Sequence, residues 1–180
     1  TTTGATILEP GRVRSGGKGP IYFSPQPSMT PLVELLTKAG FVMDPVEDLQ
    51  GLLWGKLVIN TGINPLTALL EVPNGALLES PSMMEVMVSA AEETAAVAAA
   101  LDVKLPLNDP GAQVMDVARS TGENISSMLQ DIRRGAPTEI DAISGAVVRE
   151  GERAGIGTPI NWTLWHLVQG KVMLKQGRDK

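Results

Sequence analysis

From Leu49 to Leu70 the chain carries one charge, Lys56, in an otherwise largely apolar run. Gln50, Asn60, Asn64, three glycines and Pro65 interrupt the run, which makes it too polar and too broken for a membrane span. It reads instead as a helix buried inside a helical domain. A chain that must bury such a helix needs other apolar helices around it. The composition supplies them: of the 180 residues 43% are hydrophobic and 19% charged, a globular balance that excludes disorder.

Composition also removes several kinds of chemistry. Lys and Arg number 15 against 20 Asp and Glu, a net charge of -5, so there is no basic field for a nucleic-acid partner. No cysteine is present, which excludes disulfides, thiolate metal sites and cysteine nucleophiles and fits a reducing compartment. A single histidine, His166, excludes a multi-histidine metal site, and no metal is expected. His166 lies among Trp162, Leu164, Trp165 and Leu167 and reads as a packed, singly hydrogen-bonded ring.

Two textures divide the chain. Residues 1–48 read as short runs of strand at 5–8, 13–15, 21–23 and 41–43, with one helix starting at Thr30-Pro31 and stopping at Ala39-Gly40. This set is too small to bury a sheet and reads as the tail of an α/β domain. Gly16-Gly17-Lys18-Gly19 lacks the spacing of a phosphate loop and reads as a hairpin turn. Residues 49–180 read as helices throughout. They run over 49–61 into the Asn64-Pro65 break, then over 82–101, 109–120 and 124–134 (closed by Gly135). The last two cover 138–154, with Thr138 and Asp141 as a capping pair, and 158–176.

The chemistry-bearing candidates follow from this layout. An ammonium on a buried helix is costly unless paired, and burial moves its pKa toward values useful for proton transfer, so Lys56 is the first candidate. The competing reading is a lysine whose stem lies on apolar surface with its head in water. Asn60 lies one turn further on the same face, and Asn64 continues the spacing to the proline, where helix geometry is disfavoured. Both also read as capping groups around the break. Glu139 falls at the first helical position of 138–154, on the face of Ile143 and Ala146, where it points toward apolar surroundings or simply favours the helix dipole. Asn124, Ser126 and Ser127 are hydrogen-bonding groups at a helix start and read as caps.

Three blocks then become specific. Trp54-Gly55-Lys56-Leu57-Val58-Ile59-Asn60-Thr61-Gly62-Ile63-Asn64-Pro65-Leu66-Thr67-Ala68 resembles the signature of the ketopantoate reductase family. So do Asn124-Ile125-Ser126-Ser127-Met128-Leu129-Gln130-Asp131-Ile132 with Thr138-Glu139-Ile140-Asp141, and the closing Gly155-Ile156-Gly157-Thr158-Pro159-Ile160-Asn161. The opening Thr1-Thr2-Thr3-Gly4-Ala5 and Pro10-Gly11-Arg12-Val13 resemble the last strands of that family's cofactor domain, so the resemblance covers essentially the whole chain.

The resemblance implies a mainly α fold. Residues 49–180 would be a helical substrate-binding domain similar to the 6-phosphogluconate dehydrogenase C-terminal fold, and 1–48 the end of a truncated Rossmann domain. It implies a cytoplasmic, NADPH-dependent reduction of 2-dehydropantoate to (R)-pantoate. In that reaction Lys56 is the general acid, Glu139 a catalytic and cofactor-linked acid, and Asn60, Asn64, Ser127 and Asn124 substrate ligands. The main NADP site would lie upstream, so a fragment ending the cofactor domain is expected to be inactive alone. A related 2-hydroxyacid dehydrogenase acting on another 2-keto acid is the alternative. A non-catalytic assembly module is a third reading, with the Ala/Met-rich helix 82–101 pairing two copies. A homodimer through the helical domain is also implied.

Overall fold

The computed structural model describes residues 5–15 and 19–178; the opening residues 1–4 and the turn read at 16–18 lie outside the described residues. The chain is mainly helical with a small sheet content, and it divides into two compact units, Thr1–Leu49 and Gln50–Lys180.

In the first unit β1 (Ala5–Glu9) and β2 (Arg12–Ser15) form an antiparallel hairpin turning at Pro10-Gly11, with Ile7 opposite Val13. β3 (Ile21–Phe23) leads through a 3-10 turn (Pro27–Met29) into α1 (Thr30–Lys38). β4 (Met43–Pro45) then returns parallel to β3. Thr30 is the first residue of α1 rather than its cap, because the 3-10 turn already carries the chain into the helix. The last strand starts at Met43 instead of ending there. Its pairing is anchored by Ile21 N–H donating to Val42 O (2.8 Å) and Val46 N–H donating to Phe23 O (2.9 Å).

The second unit is built around α2 (Leu49–Leu70), which does not stop at Asn64-Pro65 but runs on to Leu70. An interior proline costs about 3 kcal/mol or more through its missing N–H and its clash with the preceding turn. Every residue from Thr61 to Ala68 is buried. Burying Ile63 and Leu66 alone returns about 1.5–3 kcal/mol each, so tertiary burial overrides the local preference. A 3-10 segment (Asn74–Glu79) follows, then α3 (Pro81–Ala100), α4 (Pro110–Ser120), α5 (Ser127–Arg134), α6 (Ser144–Ala154) and α7 (Pro159–Arg178). Gly135 and Gly155 close α5 and α6 in the left-handed conformation that glycine adopts without strain.

Two apolar clusters fill the unit. Val58, Ile63 and Leu66 pack with Leu77, Met87, Ala90, Ala91, Val114, Ala118 and Leu164. Ala68 packs with Met128, Ile132, Ile140, Ile143 and Val168. The small side chains of α3 are fully buried at Ala90, Ala91, Val97 and Ala98, against α4, α6 and α7. The broad apolar surface that suggested a pairing helix is therefore used inside the unit. Glu93 of α3 locks α7 in place. Its Oε1 accepts Ile160 N–H (2.8 Å), and its Oε2 accepts Asn161 N–H and Nδ2 (2.9 Å each), a carboxylate set on the positive end of a helix. At the far end of α2, Lys171 Nζ donates to Glu71 Oε1 (2.8 Å) and Leu69 O (2.9 Å). That hydrogen bond and charge hold the Glu71 carboxyl below its ordinary range. Among the described residues no helix is long and apolar enough to cross a membrane.

Close approach of α2 to its neighbours depends on Gly62. A Cβ there would lie 2.7 Å from Val114 Cγ2 and 2.9 Å from Met87 O, so a backbone atom is in the way and cannot swing aside. Gly62→Ala is expected to destabilise the protein by about 1–3 kcal/mol in a denaturant titration; an unchanged midpoint would contradict this packing.

Candidate functional site

A helix advances about 6 Å and slightly more than one full turn over four residues, so Lys56, Asn60 and Asn64 form a ladder that curls slowly around α2. Their burial follows the curl: Lys56 is exposed, Asn60 half-buried and Asn64 8% exposed. Of the two readings the sequence allowed for Lys56, the structure shows the exposed lysine and not the desolvated ammonium. The reason is rotational: the buried face of α2 is set by Gly51, Gly55, Val58 and Gly62, and Lys56 lies off that face.

The segment before α5 is held against α2 at two points. Thr67 Oγ1 lies 2.7 Å from Ser126 Oγ, both residues being buried. Asn74 N–H donates to Asn124 O, and Gly75 N–H to Gly122 O (3.0 Å each). Ser126 is the cap of α5, its Oγ accepting Leu129 N–H at 3.2 Å. Asn124, read as a possible cap, lies outside the helix with its side chain exposed, and Ser127 is exposed on the first turn. Asn64, Asn124 and Ser127 are thereby brought onto one framework.

Glu139 does not begin a helix. It sits in a turn that precedes α6, its carbonyl accepting N–H groups of Ala142 and Ile143 (2.9 Å each), and its side chain is exposed rather than aimed at apolar surroundings. The Thr138–Asp141 capping pair does not form. The Asp141 carboxylate instead accepts Trp165 Nε1–H (2.6 Å) and Gln169 Nε2–H (2.9 Å), while its carbonyl accepts Arg149 (2.8 Å). Competition from α7 draws the acid away from the helix start. Ile140, beside Glu139, shares one buried cluster with Ala68 and Met128, so the Glu139 turn, the end of α2 and the start of α5 rest on common packing.

His166 is exposed, not packed inside. Its ring stacks on Trp162 (centroids 4.0 Å), and its Nδ1 lies 2.8 Å from Trp162 O, as a donor to that carbonyl. The structure also marks a residue the sequence reading passed over. Asn74 is 8% exposed and its Nδ2 donates to Thr121 Oγ1 (2.9 Å), yet its Oδ1 is buried with no hydrogen-bond partner. A buried carbonyl without a donor is a group waiting for one. Between Pro73 and Gly75 it looks like ordinary turn composition, and only burial reveals it. Among the described residues no cluster of His, Asp and Glu could hold a metal ion.

Residues 48–172 match the family described as "Ketopantoate reductase PanE/ApbA C terminal". The chain belongs to the ketopantoate reductase family. It is 40% identical to a 2-dehydropantoate 2-reductase of Pyrobaculum aerophilum over 91% of this chain and 57% of that protein. It is 37% identical to one of Archaeoglobus fulgidus, over 94% of this chain and 58% of the other. A ketopantoate reductase structure from Ralstonia eutropha superposes with a TM-score of 0.89 at 33% identity, covering 97% of this chain and 58% of that one. A D-mandelate dehydrogenase solved with NADH and anilino(oxo)acetate superposes with a TM-score of 0.83 at 25% identity, covering 95% and 58%. The chain thus spans somewhat more than half the length of these relatives.

If Asp141 clamps the Glu139 turn to α7, Asp141→Ala should cost about 1 kcal/mol of stability. It should also speed amide hydrogen exchange at Ala142 and Ile143. Exchange at wild-type rates would show that the turn is held by the Ile140 packing alone.

Proposed function

We propose that the helical unit is the keto-acid half of an NADPH-dependent 2-dehydropantoate 2-reductase, yielding (R)-pantoate. The observation that carries this reading is the ladder Lys56, Asn60, Asn64 on one helix, joined through Thr67 and Ser126 to Ser127. A small polar keto acid needs such a set: amides and hydroxyls for its carboxylate and hydroxyl groups, and one proton donor for its ketone. Residues 1–48 would complete a cofactor domain with the further length that the relatives possess.

The chemistry divides cleanly. A reduced nicotinamide, when bound, supplies the hydride to the ketone carbon. The carbonyl oxygen takes its proton from Lys56 Nζ, so the C=O bond becomes CH–OH and no alkoxide accumulates. Exposure of Lys56 lets solvent return the proton afterwards. Asn60, Asn64 and Ser127 orient the substrate, Asn124 borders them, and the free Oδ1 of Asn74 offers one more acceptor for a substrate hydroxyl. Glu139 fits the nicotinamide nucleotide as an exposed carboxylate on a fixed turn, able to accept hydrogen bonds from hydroxyl groups of the cofactor.

A second reading keeps the mechanism and changes the substrate: the likeness to D-mandelate dehydrogenase favours another 2-keto acid reduced with NADH or NADPH. An assay of the protein at the length of its relatives, with both cofactors and a panel of 2-keto acids, separates the two. Fastest turnover is expected with 2-dehydropantoate and NADPH, and none from the 180-residue chain alone. Lys56→Ala should lower kcat by about 10²-fold or more with KM little changed. An unchanged kcat would remove Lys56 from the chemistry.

A further inference from the structure

Two buried hydroxyl pairs cross from α2 to other elements, and they differ in what they join. Thr61 Oγ1 and Thr94 Oγ1, 2.9 Å apart and fully buried, tie α2 to α3 in the middle of the bundle. Thr67 Oγ1 and Ser126 Oγ, 2.7 Å apart, tie α2 to the residue immediately before Ser127. Thr67 Oγ1 also lies 2.9 Å from Ile63 O and 3.1 Å from Asn64 O, on the two carbonyls just before Pro65. Ser126 Oγ in turn accepts Leu129 N–H and so fixes where α5 starts.

One hydroxyl therefore lies within hydrogen-bond reach of the Asn64 backbone on one side and the cap of α5 on the other. Pro65 lies beside this contact. A proline removes one helix hydrogen bond and disfavours the helical conformation of Asn64, so the turn bearing Asn64 is the least self-supporting part of α2. The Thr67 hydroxyl reaches back to that turn and outward to the cap of the next helix, and so links the two.

We infer that Thr67 and Ser126 are a positioning pair that sets the spacing between Asn64 and Ser127, and with it the affinity for the keto-acid substrate. Neither hydroxyl is called on to touch the substrate; each acts through its neighbour. The inference rests on the functional reading above and adds to it the residues that make the site rigid.

The test uses the protein at the length of its relatives and steady-state kinetics with 2-dehydropantoate. Thr67→Val keeps shape and removes the bond; it should raise KM for the keto acid by about tenfold, with kcat and KM for NADPH within about threefold of wild type. Thr67→Ser should restore KM to within about twofold. Thr94→Val is the control for a merely structural hydroxyl, expected to lower the melting temperature while leaving KM unmoved. In the double variant Thr67→Val/Ser126→Ala, KM should rise by less than the product of the two single effects, because the bond they share is lost only once. If Thr67→Val does not fold, Ser126→Ala carries the same KM reading. Unchanged KM in Thr67→Val, an equal rise in Thr94→Val, or multiplying effects in the double variant would overturn the pair while leaving the function standing. A wild-type protein that reduces no 2-keto acid would overturn the function, and the pair's role with it.

Discussion

Helix α2 has to pass Pro65 without stopping, and the rest of the helical unit depends on its doing so. Its first half carries Lys56 and Asn60, its second half Asn64, Thr67 and Ala68. Had the helix broken at the proline, those groups would belong to two elements with no fixed relation. Burial of Thr61 to Ala68 keeps it whole. The Thr67 hydroxyl lies against the carbonyls of the turn before Pro65 and, on its other side, against the Ser126 hydroxyl that caps α5. The proline, which read as a break, lies inside a continuous helix.

Much of this was legible in the residues, and what was not has identifiable causes. Strong local signals read true: Asp109 caps α4 by accepting Ala112 N–H at 2.8 Å, and Gly135 closes α5. Local signals failed where a distant partner competed. Asp141 looked like half of a capping pair, but Trp165 and Gln169, one helix away, offered its carboxylate two donors, and α6 starts at Ser144 instead. Asn124 looked like a cap, but Ser126, better placed against Thr67, took that role. The period of α2 told which residues share a face but not how that face turns relative to the core. For that reason the sequence left Lys56 open between a buried and an exposed ammonium, and the structure shows it exposed. Asn74 was invisible because its interest lies in an oxygen left without a partner, a property of packing rather than of composition.

The packing of α3 shows how much of its apolar surface the unit itself uses. An alanine-rich helix with one narrow polar stripe fits either a subunit interface or a tight internal contact. Here Ala90, Ala91, Val97 and Ala98 are fully buried within the unit, and Gly62 of α2 comes against Met87. Ala96, Ala99 and Ala100 of α3 stay exposed. The end of α2, the start of α5 and the Glu139 turn share the Ala68–Met128–Ile140 cluster.

The central claim is that the helical unit holds the keto acid through the amides of α2 and the start of α5. The most direct measurement is an NMR titration of the ¹⁵N-labelled protein, at the length of its relatives, with pantoate in the presence of NADP⁺. The account predicts that the side-chain amide signals of Asn60 and Asn64 and the backbone amide of Ser127 move together along one saturation curve. Pantoate binding to saturation, followed on the ligand's own signals, with those three groups unmoved would contradict it.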